Sequence, residues 1–417
     1  MSRRTFWLAL GGIAAGALAV RLGYALLLVR DAPLLGDALE FHLQANALAD
    51  GHGYIQPFLF RDEGLLRPSA DKPPLYPLLE AAVSLLGGRS WAWHQLVGVI
   101  AGTGTTVVCG LLGRRVSGAA TGLLAAGIVA VYPVLVATDG SLRSESVYAL
   151  AIAGTLLAAL WVRDAPTWRR AAVAGVLVAL ATLVRSEALA LLLLLVLPLA
   201  GPRRTLVAAA ACLVVLAPWL VRCWVKLDHP VLVSTNVGGL LAGANCDTTY
   251  AGPLLGQWDF GCLPPPAHAN EALESARLRS LGLDYAREHA GRLPVVVAAR
   301  LGRSFELYRP QQNASMEHFY EGRDLRLAQA GTAMYYVLAV LAAAGAVALR
   351  RRGSAWWVLL VPVALVAITT IISYGFTRFR VAAEPGLVVL AAVGLQRVTG
   401  GARARTRERA RAASVAS

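Results

Sequence analysis

The acids Asp37, Glu40, Asp50, Asp62, Glu63 and Asp71 and the lysine Lys72 crowd the stretch from Gly36 to Pro77, between two apolar segments. Carboxylates beside a fixed cation can take a proton from an attacking hydroxyl and steady an anion that leaves. An apolar chain that places so many ionisable groups in one loop must keep each solvated, paired or at work. The stretch is therefore the candidate active site, against the plainer reading of a solvated loop joining two helices. Further charged residues sit at the edges of other apolar runs: Glu80, Asp139, Arg143, Glu145, Arg185, Glu187, Arg222, Arg378, Arg380 and Glu384.

The elements that must position them are membrane helices. Of 417 residues 57% are hydrophobic and 15% charged, far more apolar sequence than a soluble core of this length requires. The net charge of +14 is carried almost wholly by arginine in short clusters between apolar runs, which signals membrane orientation before nucleic acid binding. Motifs for a nucleotide loop, a zinc helix or a nucleophile elbow are missing, and His42, His52 and His94 are scattered. Gly102-Thr103-Gly104 reads as close helix packing. Cys246 and Cys262 lie in a polar stretch, where a bridge outside the cytosol and two free thiols stand about level.

Apolar runs predict spans at 7–29, 92–112, 118–136, 143–162, 205–224, 331–349, 355–373 and 381–396. Residues 171–200 read as a hairpin of two short arms whose turn, bearing Arg185 and Glu187, sinks into protein or a wet cavity. With Arg3 and Arg4 in the cytoplasm, ten crossings place every short arginine cluster on that side, together with both chain ends. Residues 74–86 are too short to cross and would invert those clusters if they did, so they predict an interfacial or re-entrant helix; 37–50 predicts another, with Asp37 at its start. The expected organisation is an N-terminal transmembrane module, 1–224, with a catalytic first loop at 30–91. An external region at 225–330, C-terminal transmembrane helices at 331–396 and a basic cytoplasmic tail at 397–417, an anchor to lipid head groups, follow. The charged residues named above then share the outer side, where one polar cavity and separate snorkelling are the competing readings.

These residues carry a family resemblance. Asp37-Ala-Leu-Glu40-Phe41 with Leu48-Ala-Asp-Gly51-His-Gly53-Tyr54 resembles the first-loop motif of the GT-C type membrane glycosyltransferases, in the protein mannosyltransferase and aminoarabinose transferase superfamily. Lys72-Pro73-Pro74-Leu75-Tyr76 matches its KPPLY element, and Asp139 through Arg143-Ser144-Glu145 is similar to its second external acid motif. Leu183-Val184-Arg185-Ser186-Glu187, Pro218-Trp219-Leu220-Val221-Arg222, the stretch from Ser234 to Asn245, and Arg378-Phe379-Arg380 with Glu384-Pro385 continue the order, over about residues 20–396. Phe41, where the family usually has tyrosine, departs from it, as does the modest length.

The resemblance implies an all-α, GT-C-like bundle of about ten transmembrane helices with interfacial helices in the first external loop. The topology implies a multi-pass plasma-membrane protein, and the resemblance an enzyme that moves a hexose or pentose from a polyprenyl-phosphate donor to an acceptor hydroxyl on a protein, lipid or glycan. Its expected partners are that donor, that acceptor and membrane lipids, and not nucleic acid. Asp37 is the expected general base. Lys72, Arg185, Arg378 and Arg380 are expected at the leaving phosphate, and Glu40, Tyr76, Arg143 and Glu187 at the substrates. Asp139 and Glu145 would orient the acceptor, hold those cations or ligate a divalent ion, and metal use stays open. A transporter or flippase of a lipid-linked sugar or small anion is the alternative, since it too needs charges at membrane depth.

Overall fold

Long apolar runs that end in arginine become the longest helices. The computed structural model describes residues 1–30, 32, 35–354 and 356–415, with only the backbone of 400–415; the arginine tail from Arg403 to Arg411 thus lies outside the described side chains. The chain is a multi-pass helical membrane protein, and the only β pairing among the described residues is one bridge, Ile55 to Pro68. Helix α1 (Arg3–Gly23) starts on the Ser2 hydroxyl, which accepts from the Thr5 N–H, and runs on as a π turn to Leu28. Among the described residues five helices are long and apolar enough to cross a membrane: Arg3–Leu28, α5 (Trp91–Ser117), α8 (Glu145–Asp164), α11 (Pro202–Leu227) and α17 (Leu325–Arg351).

A further apolar run is bent. The run expected as one helix at 118–136 forms α6 (Ala119–Val131) and α7 (Pro133–Gly140), turned 54° apart. Pro133 has no N–H to give back to the preceding turn and its ring crowds that turn's carbonyl, so the helix breaks there. The expected hairpin at 171–200 is present as α9 (Trp168–Thr182) and the broken apolar helix Ser186–Ala200, which ends in α10 (Leu197–Ala200). The break leaves the Leu183 carbonyl without a helical partner, and the Leu75 N–H donates to it at 2.9 Å.

Three short helices lie between α1 and α5: α2 (Asp37–Ala49), α3 (Pro57–Glu63) and α4 (Leu75–Leu85). The region after α11 contains α12 (Val237–Ala244), α13 (Asp247–Tyr250), α14 (Glu271–Glu288), α15 (Leu293–Ser304) and α16 (Pro310–Glu321). Helix α14 ends before a 3-10 turn at Ala290–Arg292, and Pro294 opens α15. Cys246 and Cys262 form a disulfide, with Cα atoms 6.2 Å apart.

Helix α18 (Trp356–Ile372) leads to a 3-10 turn at Thr377–Ala382 and then α19 (Glu384–Val415). Helices α17 and α19 meet backbone to backbone, because a Cβ at Gly345 or Gly394 would overlap the Leu390 or Leu341 carbonyl of the other helix. Helix α8 begins at Glu145, on the side of the bundle that carries Arg143, and ends at Asp164, which pairs with Arg115 at the end of α5. At 1.5 Å per residue its twenty residues carry the chain about 30 Å, so this arginine cluster and Arg143 lie at opposite ends of the bundle.

Candidate active site

Asp37 and Glu40 stand one turn apart on α2, which brings their side chains to one face. Lys72 meets both from the segment before α4. Pro73 biases the residue ahead of it towards an extended backbone, and the Tyr54 hydroxyl donates to the Lys72 carbonyl at 2.9 Å. The Lys72 ammonium lies 3.2 Å from Asp37 Oδ1, 3.4 Å from Glu40 Oε2 and 2.7 Å from Asp71 Oδ2. Asn236 Nδ2 donates to Asp71 Oδ2 at 3.2 Å. Glu271 Oε1 accepts from the Ala70 N–H at 2.7 Å and from Thr235 Oγ1 at 2.5 Å, joining this segment to α14. Arg222 lies by the Tyr54 and Trp219 rings and donates to the Tyr54 and Ser69 carbonyls, which clasps the first loop to α11.

The other oxygen of Asp37 faces two arginines. Oδ2 accepts from Arg378 Nη1 at 2.7 Å and from Arg143 Nη1 at 3.3 Å. Arg378 comes from the 3-10 turn before α19 and also donates to the Tyr374 hydroxyl at 2.7 Å. Behind it Glu145 accepts from Arg185 Nη1 at 2.8 Å and lies 3.8 Å from Arg378 Nε. Arg185, placed at the break between α9 and the next turn, donates a second time to Glu187 Oε1 at 2.7 Å and sits over the Phe379 ring. Five separate parts of the chain thus supply one ionic network.

A sixth part, within the expected external region at 225–330, adds residues that the sequence did not single out. Arg143 Nη2 donates to the Tyr320 carbonyl at 2.8 Å, and Glu321 Oε1 lies 3.9 Å from both Arg143 and Arg378. Arg323 pairs with Glu321 at 2.9 Å and Glu317 at 3.1 Å, and Glu317 accepts from Thr377. These residues end α16, inside an amphipathic region where buried acids and solvated ones have the same pattern.

Burial would raise the Asp37 carboxyl, but Lys72, Arg378 and Arg143 overcome it and hold the acid well below the usual carboxylate range. For Glu40 burial wins. Lys72 offsets only part of it, Asp71 and Asp37 add to it, and the acid is pushed up to about 8. One turn of helix therefore presents an ionised carboxylate and a protonated one at neutral pH.

Other expected members lie elsewhere. Asp139 does not join Glu145 in the network: its Oδ2 accepts from Arg21 Nε at 2.6 Å, and both side chains are buried. Arg21 also donates to the Val129 and Ala130 carbonyls, which the Pro133 break leaves without helical N–H partners. A Cβ at Gly102 would overlap Asp139 and Arg21, which gives the Gly102-Thr103-Gly104 run its packing role. Arg380 is also turned away, paired with Glu384 at 2.7 Å under the Tyr335 ring. Tyr76 is fully buried against Phe41, ring centroids 4.9 Å apart. Among the described residues no cluster of three or more His, Cys, Asp or Glu is arranged to hold a metal ion. Asp37, Glu40 and Asp71 converge on the Lys72 ammonium instead.

Residues 71–224 match the family model described as dolichyl-phosphate-mannose-protein mannosyltransferase. No curated protein matches the chain. Among solved structures, the apo oligosaccharyltransferase of Archaeoglobus fulgidus aligns over 98% of this chain and 52% of its own, with a TM-score of 0.58 and 15% identity. The archaeal oligosaccharyltransferase AglB from the same organism, in complex with an inhibitory peptide and a dolichol-phosphate, aligns over 98% and 52% with a TM-score of 0.55 and 14% identity. ArnT from Cupriavidus metallidurans, bound to undecaprenyl phosphate, covers 96% of this chain and 80% of its own at 14% identity, with a TM-score of 0.47. The chain spans about half the length of the oligosaccharyltransferase. The resemblance to GT-C type membrane glycosyltransferases is borne out by the family model and by the fold.

Proposed function

We propose that this membrane protein is a glycosyltransferase that moves a sugar from a polyprenyl-phosphate donor to an acceptor hydroxyl at the external membrane face, with Asp37 as general base. The observation that carries the reading is the meeting of Asp37 with Lys72, Arg143 and Arg378, brought from four distant parts of the chain to one carboxylate. A family model named for a dolichyl-phosphate donor and a fold seen with dolichol-phosphate in a distant relative support the same donor class.

The chemistry follows from competition for cations. A donor phosphate held by Lys72 and Arg378, with Arg185 behind them, draws the same cations that hold Asp37 ionised and unreactive. Once they are shared with the phosphate, the carboxylate becomes more basic just as the donor is in place. Asp37 then accepts the hydroxyl proton while the acceptor oxygen attacks the anomeric carbon, and the sugar–phosphate bond breaks with its electron pair going to polyprenyl phosphate. Glu40, protonated at neutral pH, donates a hydrogen bond without adding negative charge. Glu145 and Glu187 orient Arg378 and Arg185. The Arg21–Asp139 pair serves the scaffold.

The disulfide supports the external face. Bridges persist in oxidising compartments, and the region holding Cys246 and Cys262 is the one that delivers Tyr320 and Glu321 to the site. The decisive experiment supplies purified protein with labelled polyprenyl-phosphate sugars. Asp37→Asn is expected to lower transfer at least about 100-fold while binding donor as tightly as the parent or more so, because a competitor for the cations is gone. Near-normal turnover in that variant overturns the base assignment.

A further inference from the structure

Helix α2 has a second polar face. At about 100° per residue, His42 and Asn46 stand one turn apart and point away from Asp37 and Glu40. They meet Ser84 near the end of α4 and His94 in the first turn of α5. His42 Nδ1 lies 3.0 Å from His94 Nδ1, and His94 Nε2 lies 2.7 Å from the Ser84 hydroxyl. Asn46 closes the ring, with Oδ1 3.0 Å from that hydroxyl and Nδ2 3.4 Å from His42 Nε2. His94 and Ser84 are buried. The reaction at Asp37 uses none of the four side chains.

The ring closes with one placement of protons. The Arg89 carbonyl, 3.3 Å from Asn46 Nδ2, can only accept, so the amide turns its nitrogen to Arg89 and its oxygen to Ser84. Ser84 spends its single proton on that oxygen, and His94 Nε2 must therefore donate to Ser84. A neutral His94 is left with Nδ1 as acceptor; His42 Nδ1 donates to it, and His42 Nε2 accepts the second N–H of Asn46. A further proton on either ring sets two N–H groups face to face. On His94 the conflict falls at the contact with His42, and on His42 at the contact with Asn46.

The charged groups on the packed elements are committed elsewhere. Glu40 of α2 is on Lys72, Asp50 after α2 pairs with Arg89 at 2.7 Å, and Glu80 of α4 is fully buried within reach of the Tyr76 hydroxyl. Helix α3 brings Arg61 and Asp62, paired with each other, and the exposed Glu63. Helix α5 has Arg114 and Arg115 at its far end, Asp139 of α7 is on Arg21, and Glu145 of α8 is on Arg185. Burial pushes the His42 imidazole below its ordinary value. The closed ring thus refuses a proton that a released, solvated imidazole accepts below about pH 6.5, and acid favours release.

We propose that the ring of His42, Asn46, Ser84 and His94 is a positioning element for the two carboxylates on the opposite face of α2, and that acidification on the side the site faces releases it and slows transfer. The effect on transfer rests on the transferase reading above. Helix α2 lies along α4: Asp37 and Glu40 meet Lys72 just ahead of α4, Phe41 packs on Tyr76, and His42 and Asn46 reach Ser84 and its neighbour His94 beyond them. With the last contact gone α2 is free to pivot on Phe41, and displacing a base by about 1 Å costs about 100-fold in rate.

The test uses the full-length purified chain at about pH 8 and about pH 5, on either side of the free imidazole value. Cleavage of polyprenyl-phosphate mannose, glucose and arabinose, with acceptor or with water, is measured beside hydrogen exchange of the α2 amides by mass spectrometry. At the lower pH the parent is expected to lose at least about tenfold in kcat. Its donor KM is expected to stay within about twofold, because Lys72, Arg185 and Arg378 are not on α2. Its α2 amides are expected to exchange faster relative to their intrinsic rate. His42→Asn/His94→Asn keeps a donor facing an acceptor at the centre of the ring and takes up no proton; it is expected to hold both kcat and slow exchange at the lower pH. His42→Lys, charged throughout, is expected to behave at the higher pH as the parent does at the lower. Equal losses of kcat in the parent and the double Asn variant, or α2 exchange in the parent that ignores pH, overturns the proposal. Exchange that responds as expected in a protein that cleaves no donor at either pH leaves the ring standing and removes the transferase reading.

Discussion

At the level of single residues, the first loop shows how one helical turn can hold two acids in opposite protonation states. Asp37 is met by Lys72, Arg378 and Arg143, whereas Glu40 has only the shared Lys72 and two acidic neighbours. The signs of the linkage differ accordingly. The contribution of Asp37 to stability is present above the ordinary carboxylate pKa and is lost only as pH falls through its depressed value. Glu40, raised to about 8, contributes stability below about pH 4.5 that is lost as pH rises through about 8. Glu40→Gln is therefore expected to flatten the decline in thermal stability between about pH 5 and 9, by a few °C relative to the parent. Melting curves in detergent across that range check it, and parallel declines in both proteins would show that Glu40 is ionised throughout. Asp37 and Lys72 were legible because ionisable groups in a short loop between apolar runs stand out. Arg378, next to the last span, stood out in the same way. Glu317, Glu321 and Arg323 were not, since their charges lie among many others in the long region before α17. Arg21 was hidden differently: an arginine near the end of a span looks the same whether it snorkels or pairs.

Among the elements, the bend between α6 and α7 decides more than its length suggests. Pro133 leaves the Val129 and Ala130 carbonyls open, Arg21 of α1 fills them, and Asp139 of α7 balances Arg21. One guanidinium thereby joins three helices. Breaking a buried pair from one side strands a charge and costs about 3 to 5 kcal/mol, whereas an apolar pair of similar volume is tolerated. Arg21→Met and Asp139→Leu are each expected to destabilise by about that amount, and the double variant to recover most of it and keep sugar transfer. Thermal unfolding with a transfer assay on all three variants tests this; a stable double variant without activity would return Asp139 to the chemistry. The long helices were readable from apolar run length and arginine flanks, whereas the reading of 118–136 as one span passed over the break signal of Pro133. The direction in which α7 turns was not visible, because it depends on a partner more than a hundred residues earlier in the chain.

Across the whole molecule, the arginine clusters and the ionic network occupy opposite ends of the bundle, which is the arrangement that the charge distribution of the sequence predicts for a site outside the cytosol. Cys109, Cys212 and Cys223 are buried, so Cys246 and Cys262 can report sidedness. In intact cells a membrane-impermeant thiol reagent is expected to label the protein only after reduction, and to label an Arg352→Cys variant of a Cys246→Ser/Cys262→Ser chain only after the membrane is opened. Labelling in the reverse order would place the site in the cytosol. The pairing of Arg21 with Asp139 also bears on how the protein is made. The two residues are 118 positions apart, so when the ribosome has delivered α1 the counter-ion has yet to be synthesised. A guanidinium cannot settle cheaply in hydrocarbon by itself. Until α5, α6 and α7 arrive, the Arg21 guanidinium is expected to reach for the head groups, so that the order of translation enters the folding route.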